Sequence, residues 1–158
     1  MSRIEQALEK LGLSLPSPAA PAAAYVPFTK LDLGHSHLVF ISGQVPLGPK
    51  GLEYRGKAGL DFDVAQASLA ARLCALNVLA QLKAACAGDL DRAQKCLRLG
   101  GFINAVPDFE DHSKVVNGAS ELILNVMGDD GRHARTSVGV VSLPFNVAVE
   151  IEATFEIS

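Results

Sequence analysis

The sequence has no tryptophan, two tyrosines and three cysteines among its 158 residues. An odd number of cysteines with no C-x-x-C spacing argues against both a disulfide framework and a structural zinc site. We therefore expect Cys74, Cys86 and Cys96 to be reduced and mostly buried. With few aromatic residues, the core must be built from Ala, Val and Leu, whose small side chains allow close packing of helix on sheet.

The sequence also lacks an excess of positive charge and any long apolar run. The chain has 14 Lys and Arg against 17 Asp and Glu, a net charge of -3, so it offers no basic surface for a phosphate backbone and we expect no nucleic-acid partner. No window reaches about 18 consecutive apolar residues, and the N-terminus lacks a cationic segment followed by an apolar one. We therefore expect no membrane partner and a cytoplasmic location.

A length of 158 residues with 49% hydrophobic residues fits one globular domain with a sizeable core. The start of the chain differs from the rest. Ser2 and Glu5 form a capping-box pattern that predicts a helix over residues 3–11, ended by Gly12. The next segment, LSLPSPAAPAAA, contains three prolines and predicts an extended connector. We assign residues 1–24 to this N-terminal helix and arm, and residues 25–158 to the main domain.

The main domain shows the periodicities of strands and helices in turn. Asp63 and Gln66 repeat the capping-box pattern at the start of a long helix. The predicted elements are a β-hairpin within residues 25–45 that turns at 34–36, a short strand near 52–57, a helix from Asp63 to about 87–88, a strand over 94–106 and a helix from Asp111 to Gly128.

The last segment, ARTSVGVVSLPFNVAVEIEATFEI, contains two strand-like runs on either side of Leu143-Pro144. It predicts a closing β-hairpin with Arg135 at its mouth and Glu150 near the start of its second strand. The order of elements predicts an α+β fold in which two helices cover one face of a mixed sheet. The other face would expose Val45, Val138 and Val140, so we expect it to be buried in a closed homo-oligomer.

Several short motifs resemble the RidA/YjgF family, also labelled endoribonuclease L-PSP, over roughly residues 25–157. They are SGQVPL at 42–47, DLG at 32–34, PDF at 107–109, VVNGA around Asn117, and ART with LP and VEIEA in the last segment. The resemblance implies a chorismate-mutase-like fold that forms a homotrimer with a central barrel and clefts between subunits. It also implies hydrolysis of reactive 2-imino or 2-enamino acids to 2-keto acids and ammonia, without a metal or cofactor.

The resemblance also implies roles for individual residues. Arg135 would clamp the substrate carboxylate, for which a planar guanidinium with parallel donors is suited. Glu150 would position and deprotonate the attacking water. The substrate-binding residues implied are Tyr25, Ser42, Gly43, Asn117 and Ser137. Two positions differ from the better known family enzymes: Ser137 lies where they often have cysteine, and Gly139 lies where some have glutamate. The N-terminal extension also indicates a divergent subgroup.

Other interpretations of the same residues remain open. Glu152 and Glu156 share the alternation of Glu150, as solvent-facing strand residues would. His35 and His37 have no third ligand at a suitable spacing, so we expect no metal site. A homotrimer that binds small carboxylates such as 2-keto acids without catalysis is the alternative to the deaminase, and a ribonuclease is the least favoured function.

Overall fold

The computed structural model describes residues 1–20 and 24–158 of the chain. In these residues three α-helices accompany a five-stranded mixed sheet and a separate two-stranded hairpin. The elements are α1 (Arg3–Lys10), β1 (Phe28–Asp32), β2 (His37–Gln44), β3 (Leu47–Gly48), β4 (Gly51–Leu52), α2 (Val64–Ala85), β5 (Ala93–Asn104), α3 (His112–Met127), β6 (Ala134–Val140) and β7 (Val149–Ile157).

The large sheet has the strand order β1-β2-β7-β5-β6. All neighbouring pairs are antiparallel except β5 and β6, which are parallel. Helix α2 packs on β2 and β7, and α3 packs on β5 and β6. One continuous core, which includes Val39, Leu79, Leu99 and Phe155, joins the helices to the sheet. The predicted α+β class, the mixed sheet and the first hairpin are confirmed.

The predicted closing hairpin is wrong, because β5 lies between β6 and β7. β6 runs parallel to β5 after the α3 crossover, and β7 then pairs antiparallel with the other edge of β5. A parallel pair requires a long crossover connection, which α3 supplies. Alternation along the sequence identified both strands of this segment, but it contains no information about which strand lies between them.

The predicted strand near 52–57 is also misplaced. The chain forms the short hairpin β3–β4 instead, with Gly48 opposite Gly51. Positive φ angles at Gly51, Tyr54 and Gly56 take the backbone out of the extended conformation over this stretch. A strand could therefore not continue through residues 52–57.

Both predicted capping boxes are present, at Ser2 with Glu5 and at Asp63 with Gln66. Helix α1 buries Ile4 and Leu8 in the common core. Glu5 also accepts a hydrogen bond from Lys83 Nζ on α2 at 2.6 Å. The N-terminal helix is thus fastened to the main domain by apolar contacts and by two ion pairs, Glu5 with Lys83 and Arg3 with Asp91. The boundary at residue 25 stays a prediction, and residues 21–23 of the arm lie outside the described residues.

The sheet face opposite the helices carries a mixture of apolar and acidic side chains, and we call it the open face. Phe40 and Val138 lie on it and are 44% and 40% exposed. On β7 it carries the alternating residues Glu150, Glu152 and Glu156, whose neighbours in the strand point into the core. Both α2 and α3 pack on the opposite side. None of the described helices is long and apolar enough to cross a membrane.

Candidate functional site

A small cleft of about 120 Å³ lies where β2 ends and β7 begins, and we call it the Glu150 cleft. Three residues implied by the family resemblance, Tyr25, Gly43 and Glu150, line it. The rest of its wall comes from the arm, the segment before β1, the end of β2 and the residues after it, helix α2 and the turn before β7. These residues are Ala19, Ala20, Pro27, Gln44, Val45, Leu47, Asn77, Gln81, Pro144 and Phe145.

Glu150 is the acidic residue of this cleft. Its strand neighbours Val149 and Ile151 are fully buried among the helices, so its side chain leaves the opposite side of the sheet. Burial raises the pKa of the Glu150 carboxyl above its usual value of 4.5, and the negative charge of Glu152 raises it further. A carboxylate with a raised pKa accepts a proton more readily, which suits a general base that works near neutral pH.

A bulge in β2 makes room for this carboxylate. The pairing of β2 with β7 shifts register between Ile41 and Gln44. Gly43 lies in the bulge, and a Cβ added there would overlap the Glu150 side chain. Glycine is therefore required at position 43 for the carboxylate to keep its place. Sequence motifs pointed to Gly43, but only the packing gives the reason.

Ser42 uses its polar groups to bind the segment before β1. Its Oγ donates a hydrogen bond to the Val26 carbonyl at 2.8 Å, and its backbone N–H donates to the Pro27 carbonyl at 3.0 Å. The side chain is absent from the wall of the cleft. Ser42 thus fastens the segment that carries Tyr25 to the bulge of β2.

The turn before β7 contributes a residue that sequence analysis missed. Phe145 is exposed, lines the Glu150 cleft and has a left-handed backbone, as has Asn146 beside it. Non-glycine residues rarely adopt this conformation, so surrounding contacts must hold it. Arg55 Nε donates to the Phe145 carbonyl at 3.0 Å, and Gly56 N–H donates to the Asn146 carbonyl at 2.7 Å.

Arg135 lies in a second place, between the edge strand β6 and helix α3, which we call the Arg135 groove. Its NH1 donates to Ser120 Oγ at 3.1 Å and its NH2 donates to the Ser113 carbonyl at 3.0 Å. A guanidinium has five N–H donors, so three are left for a ligand. Ser137, two residues further on β6, pairs with Gly101. Its buried hydroxyl has no hydrogen-bond partner among the residues that the structure describes.

Asn117 belongs to the same groove by helical geometry. It lies four residues after Ser113 and three before Ser120, and residues at these spacings share one face of a helix. It is half-buried. At the far end of the groove, His112 packs where a side chain at Gly139 would otherwise lie.

The structure therefore separates the predicted site residues into two groups. Tyr25, Gly43 and Glu150 meet in one cleft. Arg135, Ser137 and Asn117 share the groove beside α3, on the face that the helices cover. Phe145, Asn77 and Gln81 in the cleft and Ser120 in the groove were missed, because each is far in sequence from the motif residues it approaches and has no pattern of its own.

Comparison with known proteins gives consistent matches. The sequence pattern of the family described as "YjgF/chorismate mutase-like, putative endoribonuclease" matches residues 5–154. Protein TCP17 of Trypanosoma cruzi is 43% identical over 157 residues, which are 99% of this chain and 95% of that protein. The crystal structure of Atu1372 from Agrobacterium tumefaciens, a protein of unknown function, is 47% identical with a TM-score of 0.89, over 98% of this chain and 94% of that one. TdcF of E. coli, solved with bound serine, is 27% identical with a TM-score of 0.60, over 90% and 94% of the two chains.

Proposed function

This chain belongs to the YjgF/chorismate mutase-like family, and we propose that it hydrolyses 2-imino or 2-enamino acids to 2-keto acids and ammonia in clefts between the subunits of a homotrimer. The observation that carries the proposal is the division of the site into two incomplete halves. The Arg135 groove supplies a guanidinium with free donors, whereas the described residues that line the Glu150 cleft supply a carboxylate and include no lysine or arginine.

A second subunit can join the two halves. The Arg135 groove lies at the free edge of β6, and the Glu150 cleft opens beside β2 and β7, on the other side of β5. Contact between copies through the open face would cover Phe40 and Val138 and could bring the groove of one copy against the cleft of the next. Three such contacts close a ring, which gives three equivalent sites.

The reaction uses these groups in sequence. Arg135 holds the substrate carboxylate with two parallel N–H donors. Glu150 removes a proton from a water molecule as its oxygen attacks the carbon of the protonated imine, which produces a neutral carbinolamine. The protonated Glu150 then gives this proton to the amino nitrogen. The Glu150 carboxylate takes the hydroxyl proton as the C–N bond breaks and the C=O bond forms, and ammonia leaves with the 2-keto acid.

Assembly is the first test, because the complete site needs at least two copies. Light scattering should give three times 16.6 kDa. A monomer at micromolar concentration would exclude any site between subunits.

Mixed trimers test the shared site directly. Arg135→Lys and Glu150→Gln proteins, each of reduced activity alone, are unfolded, mixed in equal amounts and refolded together. If each site takes its arginine and its glutamate from different copies, about one quarter of the sites combine two intact halves. Recovery of activity on that scale supports the proposal. No recovery, with trimers present, would place both residues of each site in one copy.

A non-catalytic trimer that binds small carboxylates is the second candidate, and the serine bound to the relative TdcF favours it. To separate the two, 2-iminopropanoate is generated with an amino-acid oxidase, and its loss is followed by competition with semicarbazide. A rate equal to buffer, together with binding of pyruvate, supports the binder. Cleavage of RNA would instead favour the ribonuclease activity in the family's description, which the net charge of -3 disfavours.

A further inference from the structure

The side chains around Arg135 form a chain of hydrogen bonds with a fixed direction. Arg135 NH1 donates to Ser120 Oγ at 3.1 Å. Ser120 Oγ also lies 2.9 Å from His133 Nε2, and His133 Nδ1 lies 2.6 Å from the Gly131 carbonyl oxygen. Four residues from helix α3, the turn that follows it and strand β6 are thus linked in one line.

For a neutral His133 ring, the carbonyl at the end of this line determines where each proton lies. A carbonyl oxygen only accepts, so His133 Nδ1 must carry a hydrogen. In the neutral ring Nε2 is then an acceptor, and Ser120 must donate its hydroxyl hydrogen to it. The lone pairs of Ser120 Oγ remain available to accept from Arg135. The opposite tautomer of His133 would leave its Nδ1 facing the Gly131 carbonyl without a hydrogen between them.

The far end of the line is closely packed. Gly131 is buried and packs so closely on α3 that a Cβ there would lie 2.7 Å from the Ile123 carbonyl oxygen. The carbonyl that orients His133 is therefore fixed relative to the helix that carries Ser120. Ser120 itself is only 8% exposed and uses its hydroxyl in both directions, so it is not available as a nucleophile.

We propose that Ser120 and His133 are positioning residues that hold the Arg135 guanidinium ready for a carboxylate. This inference rests on the proposed role of Arg135 as the carboxylate clamp. Together with the Ser113 carbonyl, Ser120 fixes two of the five donors and hence the plane of the group. The long side chain is then ordered before the ligand arrives, so that less conformational freedom is lost on binding.

The test compares pairs of variants by calorimetry with pyruvate and by hydrolysis of 2-iminopropanoate. Ser120→Ala and His133→Leu should each raise the Kd for pyruvate and the KM about tenfold, the effect of one hydrogen bond to a charged group. kcat should be unchanged, because the contact is made equally in the ground and transition states. His133→Gln should restore binding, since its Oε1 can accept from Ser120. Ser36→Ala, in the turn after β1 at the other edge of the sheet, is the control.

A double-mutant cycle distinguishes positioning from general support of the fold. If Ser120 acts through Arg135, Ser120→Ala should have no further effect on the Kd in the Arg135→Lys background. Equal effects in both backgrounds, or a lower Tm with unchanged Kd, would overturn the proposal.

A crystal structure of Ser120→Ala gives a readout that needs no ligand. The guanidinium of Arg135 should leave its place beside α3, and an unmoved guanidinium would contradict the inference. If the wild-type protein does not bind pyruvate at all, the clamp fails while this structural result still decides whether Ser120 orients Arg135.

Discussion

Arg135 and Glu150 project from opposite faces of the same sheet, with β5 between their strands. Arg135 pairs with Leu99, which faces the helices, whereas Glu150 pairs with Phe102 and lies between two core residues. This separate placement is the reason for proposing that a complete site takes the two residues from different copies of the chain. The two residues can be tested separately, because substrate affinity is expected to depend on Arg135 and turnover on Glu150.

Replacement of Arg135 by lysine tests the clamp. The fold should persist, because the position is at an edge strand and lysine keeps the charge. The bidentate geometry is lost, however, so binding of pyruvate or 2-ketobutyrate should weaken by about 1.5 to 3 kcal/mol, measured by calorimetry. Affinity equal to that of the wild type would show that Arg135 only fastens β6 to α3.

Replacement of Glu150 by glutamine separates catalysis from binding. The variant should still assemble and bind 2-keto acids, but imine hydrolysis should fall about a hundredfold or more, the usual scale for a positioned base. Glu156→Gln is the matched control, since Glu156 lies on the same strand and the same face. Wild-type turnover in Glu150→Gln would leave the carboxylate binder as the better function.

The pH dependence of hydrolysis should show the effect of Glu152 on the pKa of Glu150. Hydrolysis needs the Glu150 carboxylate, so the rate should fall as pH decreases through its pKa, which burial and then Glu152 hold above 4.5. Glu152→Gln removes the negative charge that raises the pKa of Glu150. The decrease in rate should therefore occur at lower pH, while the maximal rate is retained. A pH profile that does not move would mean that burial alone sets this pKa.

The ion pair between Glu5 and Lys83 should contribute to stability only above acidic pH. The hydrogen bond from Lys83 lowers the Glu5 pKa from 4.5 to about 2, with the Ser2 capping bonds as further causes. The contribution is therefore present above pH 4.5 and is lost as pH falls towards 2. Glu5→Gln should lower the free energy of unfolding at pH 7 by about 1 kcal/mol. Denaturant titrations at pH 7 and pH 2 check this, and an equal loss at both would contradict it.

The sequence by itself determined the type of each main element. Capping boxes at Ser2 and Asp63 and the glycine at position 128 are local signals, since each involves only residues within one helical turn. Strand alternation is local in the same way, and the alternation shared by Glu150, Glu152 and Glu156 agrees with their positions between the buried residues of β7. The motifs around Gly43 and Arg135 likewise identified the family from short stretches of chain.

Tertiary structure decided which elements became neighbours. The insertion of β5 between β6 and β7 depends on the α3 crossover and on packing across the whole sheet, so no pattern within the last segment could predict it. The same holds for Phe145, whose left-handed backbone depends on contacts with residues 55 and 56. It holds for Ser120 and His133 as well, because their link to Arg135 exists only once α3 lies against β6 and the turn after α3 fixes the carbonyl of Gly131.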